Sequence, residues 1–227
     1  MYRYETHLHT HLISACSNFT PEEIVEKYVS LGYAGIFVTD HFLNGNTTVS
    51  RDLPYKERVR AYCKGYEAVK KAAEGSELSV FFGIESSYYG TDFLFFGLDG
   101  EWYESHPEIL SLTTRQLCHY IREAGGLVVQ AHPFHEAPYI DHMRLFPSDV
   151  DGIETQNACK SDRANRLADN LANEYSLAKT AGSDIHTKGQ KMLAGVQFET
   201  PIKDEKDFVL RVKAGEGELF RLVDERE

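Results

Sequence analysis

The amino-acid sequence predicts a single α/β domain built on a closed barrel of strands. The chain has 227 residues, 42% of them hydrophobic and 26% charged, which suits one substantial core better than two small ones. Short apolar runs alternate with helical patterns along the whole chain. Such alternation calls for a parallel sheet, and roughly seven strand-helix units in a chain of this length favour a closed, TIM-like barrel over an open sheet.

The first half of the chain carries four predicted strands and two predicted helices. Thr20 starts the first helix, because Pro21 fits the first helical position and Glu23 completes a capping box. Gly32 ends this helix. A second helix is predicted over residues 54–75, where apolar residues recur at helical spacing. The strands are predicted at 2–8, 35–39, 78–84 and 93–98.

The second half continues the alternation. Three helices are predicted over 113–124, 161–175 and 203–215, with Ser161 as the cap of the middle one. Four further strands are predicted at 127–131, 152–155, 177–181 and 219–223. No repeat or long linker interrupts the pattern, so residues 1–227 are predicted to form one domain.

Charge and cysteine content restrict the class of protein. The formal net charge is −11, and an acidic chain disfavours a nucleic-acid-binding surface. The chain begins with polar residues and has no apolar run of about 18 residues, which argues against a leader or a membrane span. Its four cysteines lack CxxC spacing, as expected of a reduced, cytoplasmic protein. Oligomeric state is left open by these features.

Side chains that can bind metal ions follow the predicted strands. Chemistry in barrels of this kind sits at the C-terminal ends of the strands. Nitrogen and oxygen ligands of divalent ions occur there in five places: His7 with His9, Asp40 with His41, Glu85, His132, and Asp184 with His186. Alternate residues of a strand point the same way, so His7 and His9 can share one ion.

Five short motifs occur in order along residues 7–186: HLHTH (7–11), VTDH (38–41), GIE (83–85), QAHPF (130–134) and GSDIH (182–186). Together they resemble the motif set of the PHP (polymerase and histidinol phosphatase) superfamily. The resemblance implies a distorted (β/α)7 barrel, a site for two or three divalent ions, and hydrolysis of phosphate esters.

The resemblance also assigns the ligands. It gives one ion to His7, His9, Glu85 and Asp184, a second to Glu85 and His132, and a third to His41 and His186. Two positions depart from the motif set: Cys16 stands where an Asp or His is usual, and Asp92 is the sole candidate near the strand after Glu85. Both are kept as candidate ligands. Asp40 is expected to orient a ligand histidine rather than to bind metal.

The expected reaction is hydrolysis of a small phosphorylated substrate by a metal-activated hydroxide, with Zn, Mn or Fe as the ions. Glu85, Asp184 and His135 are predicted as catalytic residues, His135 as a general acid or a substrate contact. Three cations that follow the sixth and seventh predicted strands are candidates for binding the phosphate: Lys160, Arg163 and Lys188.

Other functions stay open at this stage. The same ligands could serve a hydrolase of amides or cyclic esters, although Glu85 stands where many metal-bridged amidohydrolases use a carboxylated lysine. A non-catalytic metal-binding accessory domain is a further possibility, and it predicts degraded ligands. A nuclease role conflicts with the acidic charge of the chain.

Overall fold

Nine strands and six α-helices occur along residues 1–226, the part of the chain that this computed structural model describes. The strands are β1 (Tyr2–Glu5), β2 (Gly35–Val38), β3 (Ser79–Tyr88), β4 (Thr91–Phe96), β5 (Leu127–Ala131), β6 (Gly152–Asn157), β7 (Ala178–Gly182), β8 (Met192–Phe198) and β9 (Glu218–Val223). The helices are α1 (Pro21–Ser30), α2 (Tyr55–Ala72), α3 (Gly100–Ser105), α4 (Thr114–Glu123), α5 (Asp162–Glu174) and α6 (Glu205–Lys213).

All nine strands belong to one sheet, in the order β7-β6-β5-β4-β3-β2-β1-β8-β9. Strands β1 to β3 are parallel, as are β5 to β7. Beyond the ends of β1 and β7, a parallel bridge between Leu8 and Ile185 joins the two sides of the sheet. The sheet is therefore a nearly closed barrel, and the predicted α/β barrel fold is confirmed.

The hairpin of β3 and β4 departs from the predicted parallel order. The two strands pair antiparallel, and β4 is also antiparallel to β5. Only Tyr89 and Gly90 link β3 to β4, at φ 46° and 78°, and both positive angles suit a tight hairpin turn. A parallel crossover needs a much longer connection. Strand β3 consequently runs past the predicted end at residue 84, so that Glu85 lies inside a strand opposite Leu94.

The predicted helix starts agree with the structure. The side chain of Thr20 accepts a hydrogen bond from the Glu23 amide at 3.3 Å, and the Glu23 carboxylate accepts one from the Thr20 amide at 3.2 Å. Pro21 opens α1 as predicted, and Ser161 caps α5. Strand β8 and helix α3 were missed by the sequence analysis. Within the described residues, no helix is both long and apolar enough to cross a bilayer.

Aromatic packing joins helix α6 to strands β2 and β4. The ring of Phe37 on β2 lies 4.5 Å from that of Phe208 on α6, and Phe96 on β4 lies 5.2 Å from both. All three side chains are buried. Burial of each such ring contributes about 1.5–3 kcal/mol to stability, and these contacts hold α6 against the strands.

One residue after α5 carries backbone strain that can be relieved. Ser176 is exposed and has φ 53°, a left-handed conformation that is unfavourable for a residue with a Cβ. We expect Ser176→Gly to stabilise the protein by about 0.5–1 kcal/mol, the strain relief being partly offset by the greater entropy of unfolded glycine. Urea unfolding measures the difference. Ser176→Ala keeps the Cβ and should give no gain; equal stability of the glycine and alanine variants contradicts the prediction.

Candidate metal centre

Two histidines that follow β1 meet two carboxylates from other strands. The Nε2 atom of His7 lies 3.2 Å from Glu85 Oε1 and 3.7 Å from Asp184 Oδ1. The Nε2 atom of His9 lies 3.5 Å from Glu85 Oε2 and 3.6 Å from Asp184 Oδ1. All four side chains are buried. The fold thus brings together the four residues predicted for the first ion.

Several buried polar atoms of this centre lack hydrogen bonds among residues 1–226. They are Nε2 of His7 and of His9, Nδ1 of His41, and Oε2 of Glu85. His41 Nδ1 lies 2.6 Å from Glu85 Oε2, but the contact lacks hydrogen-bond geometry. Buried polar groups are normally satisfied, and each unsatisfied one costs about 1–3 kcal/mol. Imidazole nitrogens and carboxylate oxygens aimed at one another fit bound divalent ions.

Three overlapping groups of side chains have ligand atoms within 4.8 Å of one another. They are His7, Glu85 and His132; His7, His9 and Asp184; and His9, His41 and His186. His7 and His9 each belong to two groups, so the groups form one continuous centre. These clusters could bind metal, as the sequence motifs indicated.

The charges of the centre are mutually stabilising. Burial disfavours ionisation of Glu85, but the positive charge of His41 and His7 holds its pKa well below the usual range. The pKa of Asp184 is likewise held low against burial, chiefly by His7. Burial disfavours protonation of His7, but Glu154, Asp184 and Glu85 raise its pKa well above the usual value. The carboxylates are therefore ionised, and an incoming ion would displace protons from imidazoles.

A carboxylate that the sequence analysis missed lies behind His7. Glu154 on β6 is fully buried, and its Oε1 lies 2.8 Å from His7 Nδ1. Its other oxygen accepts hydrogen bonds from the His132 amide at 3.1 Å and from the Asn157 side chain at 2.8 Å. Nδ1 of His7 donates to this carboxylate, which leaves Nε2 free to face Glu85. Its role could have been suspected from the sequence, because Glu154 is the one charged residue of the segment GIETQN.

Glu154→Gln is expected to weaken metal binding about 10–100-fold, because the amide no longer favours the His7 tautomer that presents Nε2 to the ion. Competition with a chromogenic chelator measures the affinity. Glu174→Gln, at the exposed end of α5, is the control. An affinity equal to that of the control would show that Glu154 does not orient His7.

A second carboxylate acts on His9 through a serine. The hydroxyl of Ser14 donates to Asp40 Oδ1 at 2.7 Å, and His9 Nδ1 lies 3.0 Å from the same hydroxyl. Thr10 donates to Asp40 from its amide at 2.7 Å and from its hydroxyl at 2.8 Å. Through Ser14, Asp40 is placed to orient His9, a candidate ligand, which is the kind of role expected for it from the sequence.

Two candidate ligands have strained backbones. His132 has φ 27° and Asp184 has φ 50°, and neither is a glycine. Such conformations cost on the order of 1–3 kcal/mol each and cluster at functional sites. Hydrogen bonds from the His132 amide to Glu154 and from Asn157 to the Asp184 carboxylate, at 3.3 Å, help to hold the two residues in place.

The two departures from the motif set lie at the edge of the centre. Burial opposes ionisation of the Cys16 thiol, but His186 and His41 outweigh burial and lower its pKa to about 6. Asp92 Oδ2 lies 4.0 Å from His132 Nε2. Neither residue belongs to the three compact groups, so Cys16 and Asp92 are weaker candidates for metal ligands than the residues in those groups.

The predicted substrate cations are separated by the fold. Lys160 Nζ lies 2.9 Å from Asp184 Oδ2. Lys160, Arg163 and His135 line one cavity of about 260 Å³. Lys188 is not part of it: its Nζ lies 2.8 Å from Glu26 Oε2, and it lines a different cavity.

His135 is placed beside the centre rather than in it. Its ring centroid lies 5.5 Å from that of His132, and its Nε2 lies 3.3 Å from the hydroxyl of Tyr139. Burial, followed by the charge of Lys160, lowers the pKa of His135 to about 4. The imidazole is therefore neutral near pH 7 in the metal-free protein.

A barrel whose strand ends bring histidines and carboxylates together could hold divalent metal ions. Residues 162–216, from α5 to beyond α6, match the family model PHP_C, described as PHP-associated. No curated protein sequence matches the chain. The family match supports the resemblance that the five motifs indicated.

Solved structures share the fold. A two-domain protein from Bacteroides vulgatus, described as containing a predicted PHP-like metal-dependent phosphoesterase, has a TM-score of 0.71 at 13% identity over 96% of this chain. The chain spans 64% of the length of that protein. A protein from Bifidobacterium adolescentis, named as a candidate metal-dependent phosphoesterase, has a TM-score of 0.61 at 17% identity, over 92% of this chain and 96% of that one.

An amidohydrolase from Chromobacterium violaceum, solved with bound sulfate and no metal, has a TM-score of 0.50 at 16% identity, over 82% of this chain and 88% of that one. At these identities the likenesses establish the fold. The family match over residues 162–216 agrees with the resemblance that the sequence motifs indicated.

Proposed function

We propose that this protein hydrolyses a small phosphate monoester at a centre of two or three divalent ions. The observation that carries the proposal is the continuous set of three ligand groups around His7 and His9, with unsatisfied imidazole and carboxylate atoms facing one another. The adjacent Lys160 adds the positive charge that a phosphate requires in a chain of net charge −11.

The ligand groups suggest how the ions would be held. One ion would take His7, His9, Asp184 and Glu85, a second would take His132 with Glu85, and a third would take His41 and His186. Zn, Mn and Fe all suit such nitrogen and oxygen donors. When bound, the ions supply Lewis acidity toward the phosphoryl group and toward water.

The protein's own residues orient these ligands and the substrate. Glu154 holds His7, and Asp40 holds His9 through Ser14. Lys160 would contact phosphoryl oxygens once Asp184 shares its charge with an ion. We propose that His135 contacts the substrate, because its imidazole lines the adjacent cavity within hydrogen-bonding distance of Tyr139.

Metal content and turnover test the proposal together. Protein reconstituted with Mn²⁺, Zn²⁺ or Fe²⁺ is assayed on p-nitrophenyl phosphate, and bound metal is measured by elemental analysis. We expect two to three ions per chain and phosphate release that His9→Ala abolishes, while His142→Ala, at an exposed loop histidine, has no effect. Folded protein that binds less than about one ion per chain contradicts the proposal.

A second candidate function is hydrolysis of an amide or cyclic ester at the same centre. The observation that favours it is the structural likeness to the C. violaceum amidohydrolase. Assaying amide and cyclic-ester panels beside p-nitrophenyl phosphate separates the two functions. Amide turnover without phosphate release would favour the amidohydrolase function over phosphate-ester hydrolysis. A non-catalytic accessory domain would bind metal but turn over none of these substrates.

A further inference from the structure

The cavity beside the centre is lined by two short segments. Residues 134–136 follow β5, residues 159–161 precede α5, and Arg163, Ala164 and Leu167 lie in the first turns of α5. Lys160 belongs to this lining and its Nζ also lies 2.9 Å from Asp184 Oδ2, so the cavity lies next to the candidate metal centre. A leaving group attached to a phosphoryl group at that centre could therefore enter it.

The size of the cavity limits what it can hold. Its volume is about 260 Å³. Pockets for drug-sized ligands usually measure about 300–1,000 Å³. The lining is also largely polar, with Lys160, Arg163, Ser161, His135 and Glu136 among its residues. These properties suit a short polar leaving group better than a large apolar one.

Arg163 is the cation of this cavity that is available for a ligand. The ammonium of Lys160 already lies 2.9 Å from Asp184, whereas Arg163 lies 3.7 Å from Glu136 Oε1, beyond hydrogen-bonding distance. The side chains of Arg163 and Glu136 are 73% and 72% exposed, and exposed ion pairs are worth about 0–1 kcal/mol. A carboxylate or phosphate could displace Glu136 and bind the guanidinium in a bidentate manner.

We infer that the cavity is the leaving-group subsite and that Arg163 recognises a second oxyanion on the leaving group. The preferred substrate is then a small phosphate monoester with a distal carboxylate or a second phosphate. This inference rests on the proposed phosphoesterase function. The carboxylate of Glu136 repels the second anionic group of such a substrate, so Arg163 and Glu136 have opposite effects on selectivity.

The experiment compares esters that differ at the distal group. The metal-loaded protein is assayed on 3-phosphoglycerate and glycerol 3-phosphate, and on the bisphosphate and monophosphate of 1,3-propanediol. The first pair tests whether a distal carboxylate improves turnover, and the second tests whether a distal phosphate does. We expect kcat/KM to favour the member with the second anionic group, 3-phosphoglycerate or the bisphosphate, in at least one pair.

Three variants test the residue assignment. Arg163→Gln should lower that preference about tenfold or more, the loss expected for a charge-assisted hydrogen bond. Glu136→Gln should raise it. Arg166→Gln, an exposed arginine of the same helix that does not line the cavity, should leave the preference unchanged.

Each result decides the question. The inference is overturned if Arg163→Gln lowers kcat/KM equally for both members of each pair, or if the wild-type protein has no preference within either pair. Neither result contradicts the phosphoesterase function itself. If no ester is turned over, calorimetry of 3-phosphoglycerate and glycerol 3-phosphate with the metal-loaded protein still measures the preference. Tighter binding of 3-phosphoglycerate that Arg163→Gln abolishes then supports recognition of a second oxyanion by Arg163, although the proposed function has failed.

Discussion

Glu85→Gln is expected to reduce turnover at least about 10³-fold and to remove at least one bound ion per chain. The carboxylate of Glu85 lies among four imidazoles, with Oε1 at 3.2 Å from His7 and 3.4 Å from His132, and Oε2 at 2.6 Å from His41 and 3.5 Å from His9. Glutamine keeps the shape of the side chain but removes the negative charge and one of the two oxygen ligands.

Elemental analysis and p-nitrophenyl phosphate turnover measure the two parts of this prediction. Glu218→Gln, on the exposed surface of β9, is the control for a lost charge. Asp92→Asn is an informative comparison, because Asp92 lies 4.0 Å from His132 but outside the compact groups. We expect it to lose less metal than Glu85→Gln. A full complement of ions in Glu85→Gln contradicts the assignment of Glu85 as the shared ligand.

The candidate ligands were predictable because strand ends of a barrel meet at one place. That rule needs only the order of the strands and the identity of the residues after them. It predicted that His7, His9, His132 and Asp184 lie close together, as they do in the structure. Glu85 was also found, although the reason differs: it lies inside β3, which continues into the hairpin with β4. A periodic apolar pattern does not distinguish a strand end from a hairpin arm.

The residues that support the ligands were harder to predict. Glu154 lies within a strand, and nothing in its local sequence shows that His7, 147 positions earlier, meets its carboxylate. The three cations looked equivalent in the sequence because each follows a late strand. Loop conformation separates them: Lys160 turns toward Asp184, whereas Lys188 turns toward Glu26. Contacts of this kind depend on tertiary packing, which spacing along the chain does not encode.

Gly182→Ala is expected to damage the centre although it replaces no candidate ligand. A Cβ added at Gly182 would overlap the Cβ of His7 and lie 2.8 Å from Glu154 Oε1 and 3.1 Å from the His7 amide. The overlapped atoms adjoin the backbone of His7, so that relief requires His7 itself to move. Such overpacking typically costs about 1–3 kcal/mol of stability. Displacement of a positioned group by about 1 Å can reduce turnover about 10²-fold.

Gly189→Ala, in the same segment, is the matched control, because its added Cβ would meet only Thr187 Oγ1 at an ordinary 3.7 Å. Neither glycine has a positive φ, so alanine is compatible with both backbones and any difference reports the contact with His7. Thermal unfolding and chelator competition on the folded variants separate lost stability from lost metal affinity. If Gly182→Ala matches Gly189→Ala in both measurements, close packing of β7 against His7 does not determine the geometry of the centre. If only metal affinity falls, the glycine of GSDIH is needed because the barrel closes directly against a ligand.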